Sequence, residues 1–178
     1  MVTLTECQDE EIMSHTGEIT RLLKTPPPVI HLVDYIYIVN GTVFITDLAP
    51  AQSGVFPGQY AFSWYEPENR IAISKNDVLS GREFTDTELI SLLAHEMRHY
   101  WQKAFHYDQY FGYDIQTVDS LDDEAEIDAD AFSFLYVSSR MNCTINDMNI
   151  VGRFNFINDN GMRYKRTETL RQEFAGII

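Results

Sequence analysis

The sequence TDTELISLLAHEMRHYWQKAF, residues 85–105, predicts the central element of the fold. Its first four residues have the Thr-x-x-Glu form of a capping box, in which the side chains of Thr85 and Glu88 each bind a backbone N–H at a helix start. Apolar side chains then recur at helical spacing and mark one buried face: Leu89, Leu92, Leu93, Met97, Tyr100 and Trp101. The segment therefore predicts a helix that begins after Thr85 and runs to about Phe105.

The chain before this helix changes from helical to extended character at Pro26-Pro27-Pro28. Asp9 to Lys24 carries apolar residues at helical spacing, whereas β-branched and aromatic residues dominate from Val29 to Ser74. Proline cannot continue a helix and imposes an extended start on the next segment. We therefore expect a first helix over 9–24 and then a sheet.

Two turn signals define the expected sheet. Asn40-Gly41 suits the two positive-φ positions of a type I′ hairpin, and Glu66-Pro67-Glu68-Asn69 marks a second hairpin. The strands are expected at 29–33, 35–39, 42–45, 60–65 and 70–74. They predict an antiparallel or mixed sheet of four to five strands.

Helical character returns at the acidic run before Glu124. Asp122, Asp123 and Glu124 suit the first turn of a helix to about Arg140, because carboxylates favour the positive end of the helix dipole. A polar, aromatic loop is expected over 106–120 and a last surface helix over 163–174. The whole predicts an α+β protein with a single domain over 1–178. Its parts are a helical segment (1–28), the sheet (29–80), a pair of helices (85–140) and a helical tail (141–178).

Composition restricts the partners. The 178 residues are 44% hydrophobic and 13% aromatic, as in a folded globular protein. A net charge of −14 argues against nucleic acid or an anionic membrane surface as the main partner, since both repel it. We expect a cytoplasmic protein, because no apolar run is long enough to span a bilayer and the acidic N-terminus does not resemble a signal peptide. Cys7 and Cys143 are expected to be free thiols.

The basic residues are unevenly distributed. Five of the thirteen lie in the last 28 positions: Arg153, Arg163, Lys165, Arg166 and Arg171. We expect them to form a solvated face that balances an acidic body, with a basic docking strip as the alternative.

The predicted helix contains His-Glu-x-x-His at His95, Glu96 and His99. Histidines four apart project from one helix face, with Cβ atoms about 5–6 Å apart, so that two imidazole nitrogens can reach one Zn²⁺. Glu96 lies about 100° round the helix from His95 and can accept a proton from a water that zinc acidifies. The motif predicts a zinc site with Glu96 as general base.

A catalytic zinc usually has three protein ligands, so a third is required. The metzincin motif would place glycine and histidine where Gln102 and Phe105 stand, and His106 misses that histidine position by one residue. The remaining candidates are the carboxylates of residues 124–130, on the next predicted helix.

Here the chain resembles a family. The Glu-x-x-x-Asp spacing of Glu126 and Asp130, followed by Ala131-Phe132, is similar to the second signature of gluzincin peptidases, in the form found in CAAX-prenyl-protease-like and phage-repressor-cleaving groups. The region 89–132 also resembles small proteins of the minigluzincin type. The resemblance implies a zincin-like fold, in which the sheet packs on the His-Glu-x-x-His helix, with Glu126 as third ligand and Asp130 as the residue that orients His95. Glu124 and Asp128 have the same spacing, shifted by two residues, and stay an alternative.

The combination predicts a zinc metallopeptidase that performs limited proteolysis of a protein or peptide substrate. The alternative is a zinc-binding regulatory or interaction module without turnover. A di-iron site would need a second Glu-x-x-His, which the chain lacks after His99. Candidates for an oxyanion donor, by position only, are His106, Tyr107, Tyr110 and Tyr113. The resemblance also implies a substrate-binding edge strand within 60–65 or 70–74.

Overall fold

The computed structural model describes residues 5–40, 42–47, 60–61, 63–66, 69–78, 81–111, 124–142, 144 and 161–178. Within these residues there are five helices: α1 (Glu10–Leu23), α2 (Asp86–Phe105), α3 (Tyr107–Phe111), α4 (Glu124–Arg140) and α5 (Met162–Glu173). The four predicted helices therefore form. Asp122, Asp123 and Cys143 lie outside the described residues.

Helix α3 corrects the prediction of a loop over 106–120. Its single turn begins where the backbone N–H groups of Gln109 and Tyr110 donate to the carbonyl of His106, at 3.1 and 3.3 Å. One turn is too short to show a hydrophobic period, which is why no helix could be predicted there from the sequence. Residues 112–120 lie outside the described part of the chain.

The described strands form three small sheets. The strands are β1 (Val29–Val33), β2 (Tyr35–Val39), β3 (Thr42–Thr46), β4 (Tyr60–Ala61), β5 (Ser63–Glu66), β6 (Arg70–Ser74), β7 (Asn76–Asp77) and β8 (Arg82–Glu83). Their orders are β1-β6-β5, β3-β2-β4 and β7-β8. The first sheet is mixed, because β1 pairs with β6 in parallel and β5 pairs with β6 antiparallel.

Both predicted hairpins form. β2 pairs with β3, and Asn40 at the start of the turn has φ 50°. β5 pairs with β6, with Asn69 at φ 65° before the return strand. Gly41 lies outside the described residues.

The α+β class is confirmed, but the single sheet of four to five strands is not seen among the described residues. The division occurs at Asp34, because β1 on one side and β2 on the other take different partners. Ser74 Oγ and Asn76 Nδ2 both donate to the Asp34 carbonyl at 2.9 Å and hold the chain at this change of direction. A backbone carbonyl bound by distant side chains leaves no periodic signal in the sequence.

The core centres on α2, which packs against α1, α4, β5 and β6. Ile90, Leu93 and Met97 of α2 are fully buried, as are Ala129 and Phe132 of α4. Two serines also join α2 to α4. Ser133 Oγ donates to the Ser91 carbonyl at 2.7 Å and lies 2.9 Å from Ser91 Oγ. This packing places the face of α2 that carries His95 and His99 against the acidic first turn of α4.

Candidate metal centre

The structure brings His95, His99 and Glu126 together. The Nε2 atoms of the two histidines are 3.0 Å apart. His99 Nε2 lies 3.0 Å from Glu126 Oε1, and His95 Nε2 lies 3.4 Å from Glu126 Oε2. The histidines are buried, whereas the Glu126 side chain is 25% exposed. Glu126 is therefore the most exposed member of the cluster.

These distances fit one small cation. Ligand atoms at about 2.0–2.1 Å from a tetrahedral Zn²⁺ lie about 3.3–3.4 Å from one another. The observed separations of 3.0–3.4 Å are close to those edges. The cluster of His95, His99 and Glu126 could therefore hold a metal ion.

The Nδ1 atom of His95 is 2.9 Å from Asp130 Oδ1. Asp130 is 1% exposed, and its second oxygen accepts a hydrogen bond from Arg163 Nε at 2.7 Å. A carboxylate can only accept from the imidazole here, so Nδ1 carries the proton and Nε2 turns its lone pair to the cluster. Asp130 thus lies where the sequence predicted the residue that orients His95.

The Nδ1 atom of His99 is 2.8 Å from Gln102 Oε1. The orientation of this amide is fixed, because Gln102 Nε2 donates to the Ala125 carbonyl at 3.0 Å and to Asp128 Oδ2 at 2.8 Å. Its oxygen must accept from His99, which places the proton on Nδ1 and leaves Nε2 for the cluster. Both histidines therefore present the same atom to Glu126.

Two imidazole nitrogens and a carboxylate converge in a site with little water, so the cluster needs positive charge between its members. Burial pushes the pKa of Glu126 upward, but hydrogen bonds and positive charge from His95 and His99, in their protonated forms, outweigh burial and hold that pKa far below its usual range. Glu126 therefore stays ionised, as a metal ligand must be.

Glu96 follows His95 on α2 and is buried, with 6% of the residue exposed. Its carboxylate is not one of the three groups that converge on the metal position. The role predicted for it requires a carboxylate near the metal that does not serve as a ligand, and that role stays a prediction.

Glu124 and Asp128, the alternative pair, lie elsewhere. Glu124 is exposed at the start of α4. Asp128 is 2% exposed and accepts hydrogen bonds from Arg98 Nε and Arg166 Nε, both at 2.7 Å. Burial would raise the pKa of Asp128, but these arginines and Gln102 lower it. The placement favours Glu126 over Glu124 as the third ligand.

Comparison with known proteins adds no identification. No protein-family model matches the chain, and neither a curated protein nor a solved structure matches it.

None of the described helices is both long enough and apolar enough to pass through a membrane. The cytoplasmic location stays a prediction.

Four polar residues around the site were not predicted from the sequence: Arg98, Gln102, Arg163 and Arg166. Gln102 could have been found, since it lies one helical turn from His99. The expectation of a solvated basic face is wrong for Arg163, which is 2% exposed, and incomplete for Arg166, whose side chain is 26% exposed. Their partners lie 33 and 38 residues away, a separation that no local pattern reveals.

The candidates for an oxyanion donor lie in different surroundings. The His106 ring packs on Trp101 with centroids 3.8 Å apart and the ring planes tilted by 30°. Tyr110 contacts Asp128, and burial together with that carboxylate raises its pKa. Tyr107 is 50% exposed, and Tyr113 lies outside the described residues. Tyr110 is therefore held at Asp128, which is not a member of the three-residue cluster.

The two segments considered for substrate binding also differ. β6 (Arg70–Ser74) is the central strand of its sheet, so the expectation that it offers an edge is wrong. β5 (Ser63–Glu66), from the other segment, pairs on one side with β6 and packs against α2. Of the described strands in that sheet, β5 is the edge next to the motif helix.

Proposed function

We propose that this protein is a zinc-dependent hydrolase, most simply a peptidase that cuts a restricted set of protein or peptide substrates. The observation that carries the proposal is the convergence of His95 Nε2, His99 Nε2 and the Glu126 carboxylate, with both Nδ1 atoms engaged behind them. Two histidines and one glutamate are a ligand set of catalytic zinc, which keeps its fourth position open.

The residues of the chain take distinct roles in this proposal. His95, His99 and Glu126 hold the metal, while Asp130 and Gln102 fix the tautomer of the two imidazoles. Zinc held by these residues would supply Lewis acidity, which would make a water molecule a stronger acid. Glu96 accepts the proton of the attacking water and passes it to the leaving amine.

The edge of β5 supports a peptide as substrate. Among the described strands, β5 has a partner on one side only, and it lies against the helix that carries the site. An extended peptide can add to such an edge by main-chain hydrogen bonds, which are independent of side-chain identity. The proposal therefore predicts cleavage of extended segments rather than of helical ones.

The first test is metal content and hydrolysis of a peptide library, with and without a chelator. We expect one zinc per chain and cleavage that the chelator stops. Glu96→Gln is expected to keep the zinc and to lose activity by about 10²–10⁴-fold, since it removes only the base. Activity of Glu96→Gln equal to that of the wild type would remove Glu96 from the mechanism.

A matched pair tests the ligand set. Glu126→Gln is expected to lose zinc, whereas Glu124→Gln, the same change at an exposed position on α4, keeps both zinc and activity. If no metal binds to the wild type, the whole proposal fails. Zinc binding without any cleavage would instead support the regulatory or interaction module.

A further inference from the structure

Helix α5 reaches both histidines of the candidate metal site through hydrogen-bonded chains. In the first chain, Arg163 Nε donates to Asp130 Oδ2 at 2.7 Å, and Asp130 Oδ1 lies 2.9 Å from His95 Nδ1. The side chains of Arg163 and Asp130 are 2% and 1% exposed. Water therefore cannot easily replace either member.

The second chain leads to the other histidine. Arg166 Nε donates to Asp128 Oδ1 at 2.7 Å, and Asp128 Oδ2 accepts from Gln102 Nε2 at 2.8 Å. Gln102 Oε1 lies 2.8 Å from His99 Nδ1. Arg98 binds the same carboxylate with two hydrogen bonds, at 2.7 and 3.1 Å, so Asp128 keeps one arginine if Arg166 is removed.

We propose that Arg163 and Arg166 are positioning residues for the metal, each acting on a different ligand histidine through an aspartate of α4. The proposal rests on the metal site proposed above. Arg163 and Arg166 are three residues apart and therefore lie on one face of α5, while Asp128 and Asp130 both lie on α4. Arg163 fixes which oxygen of Asp130 faces His95, and Arg166 fixes which oxygen of Asp128 faces Gln102.

The arrangement couples the docking of α5 to metal binding. A ligand histidine binds metal well only when its second nitrogen is held by a partner, and that partner must itself be held. By linkage, metal binding stabilises the docked α5 by the same factor by which docking strengthens metal binding. The C-terminal helix is thus a part of the metal site, although it supplies no ligand.

The test measures the Zn²⁺ affinity of the full chain by competition with a chromophoric chelator. Arg163→Met is expected to weaken binding about tenfold, and Arg166→Met about threefold because Arg98 still holds Asp128. Arg171→Met is the matched control: it removes the same charge from the same helix at an exposed position, where Arg171 pairs with Glu168. We expect the control to bind Zn²⁺ within about twofold of the wild type.

Two further measurements separate positioning from general stability. The visible absorption bands of bound Co²⁺, which report ligand geometry, are expected to change in Arg163→Met and not in Arg171→Met. In an Asp130→Asn background, Arg163→Met is expected to cause no further loss of affinity, because the proposed connection between Arg163 and His95 runs through Asp130. If the losses of Zn²⁺ affinity from Arg163→Met and Asp130→Asn add, the proposed connection from Arg163 through Asp130 to His95 is wrong.

If Arg163→Met does not fold, Arg163→Lys takes its place, since lysine keeps the charge and lacks the guanidinium geometry. Arg166→Met tests the second chain, from Arg166 to His99, separately. Equal affinity and identical Co²⁺ spectra in the wild type, both arginine variants and the control would overturn this inference and leave the proposed function intact. A wild-type chain that binds neither Zn²⁺ nor Co²⁺ would overturn both.

Discussion

Charged side chains hold both ends of α2, but the two charged pairs differ in their exposure to solvent. At the N-terminal end, Glu88 accepts from Arg82 through two hydrogen bonds at 2.7 and 2.6 Å and from the backbone N–H of Thr85 at 2.8 Å. Glu88 is buried, but the Arg82 side chain is 36% exposed. Towards the other end, Arg98 and Asp128 are each 2% exposed, and Arg98 lies 3.8 Å above the Trp101 ring. The Arg82–Glu88 pair is therefore partly exposed to solvent, whereas the Arg98–Asp128 pair is buried.

The contrast in burial accompanies a contrast in how far along the chain the partners of each end of α2 lie. The partners of the N-terminal end lie within six residues of one another, so that end forms with the helix itself. Arg98 meets its partner 30 residues along the chain, on α4. A buried ion pair needs both members in place, because either one alone is a charge without water or counter-charge. The metal-binding half of α2 is therefore completed only by tertiary packing.

Arg98→Met is expected to destabilise the protein more than any other variant considered for α2. Methionine keeps an apolar chain of similar length but removes the guanidinium, which lies over the Trp101 ring and donates two hydrogen bonds to Asp128. Breaking a buried pair costs about 3–5 kcal/mol, and the lower end applies because Arg166 remains. Chemical denaturation of the metal-free protein measures this loss of unfolding free energy.

Arg82→Met is the matched variant at the other end of α2. We expect it to cost about 1 kcal/mol at most, since water screens a side chain that is one-third exposed and Thr85 still binds Glu88. Equal losses from Arg82→Met and Arg98→Met would show that the two ends do not differ in the way that their burial indicates.

The same contrast explains how much of the fold could be predicted from the sequence. The capping box at Thr85 and Glu88 joins residues three positions apart, so the start of α2 was predicted correctly and the structure shows both of its hydrogen bonds. The hairpins at Asn40 and Asn69 were predicted for the same reason, since a turn is specified by its own residues. The division of the strands into separate sheets depends on contacts of Asp34 with residues 40 and 42 positions away, which no local pattern contains.

In the candidate site too, local features could be predicted from the sequence and tertiary contacts could not. Placing His95 and His99 on one face needed only helical geometry, and the structure places them together. Choosing Glu126 over Glu124 needed the resemblance to a known spacing, because either residue could lie in the first turn of α4. Arg163 and Arg166 could not be chosen from the other basic residues of the tail, since what distinguishes them is burial against α4.

A further prediction concerns pH and Glu88. Burial favours a raised pKa for this carboxyl, but hydrogen bonds from Arg82 and Thr85 outweigh it and lower the pKa below its ordinary value of about 4.3. A lowered native pKa means that the unfolded chain binds more protons in this range, so the contribution of Glu88 to stability is present above about pH 4.3 and is lost as pH falls.

Glu88→Gln is therefore expected to flatten the loss of stability below about pH 4.3, by at most about 1.4 kcal/mol per pH unit. The measurement is the unfolding free energy of both proteins at several pH values between neutral and acid. Glu83→Gln, which removes an exposed carboxylate from β8, serves as the control. A slope in Glu88→Gln as steep as that of the wild type would contradict the assignment of acid sensitivity to the N-terminal end of α2.

Thr85→Ala, which removes the N-cap of α2, is expected to change stability by about as little as Arg82→Met and to affect the metal site least. The Thr85 hydroxyl accepts from the Glu88 N–H at 3.3 Å, and its loss should cost about 1 kcal/mol. Thr87→Ala, inside the first turn, is the matched control and should change stability by less than half of that. Because the cap is local and the metal site depends on α4 and α5, Thr85→Ala should leave Zn²⁺ affinity within about twofold of the wild type. A cap variant that weakened Zn²⁺ binding as much as Arg163→Met would show that the two ends of α2 are coupled through the helix, and the distinction between local and tertiary control would have to be abandoned.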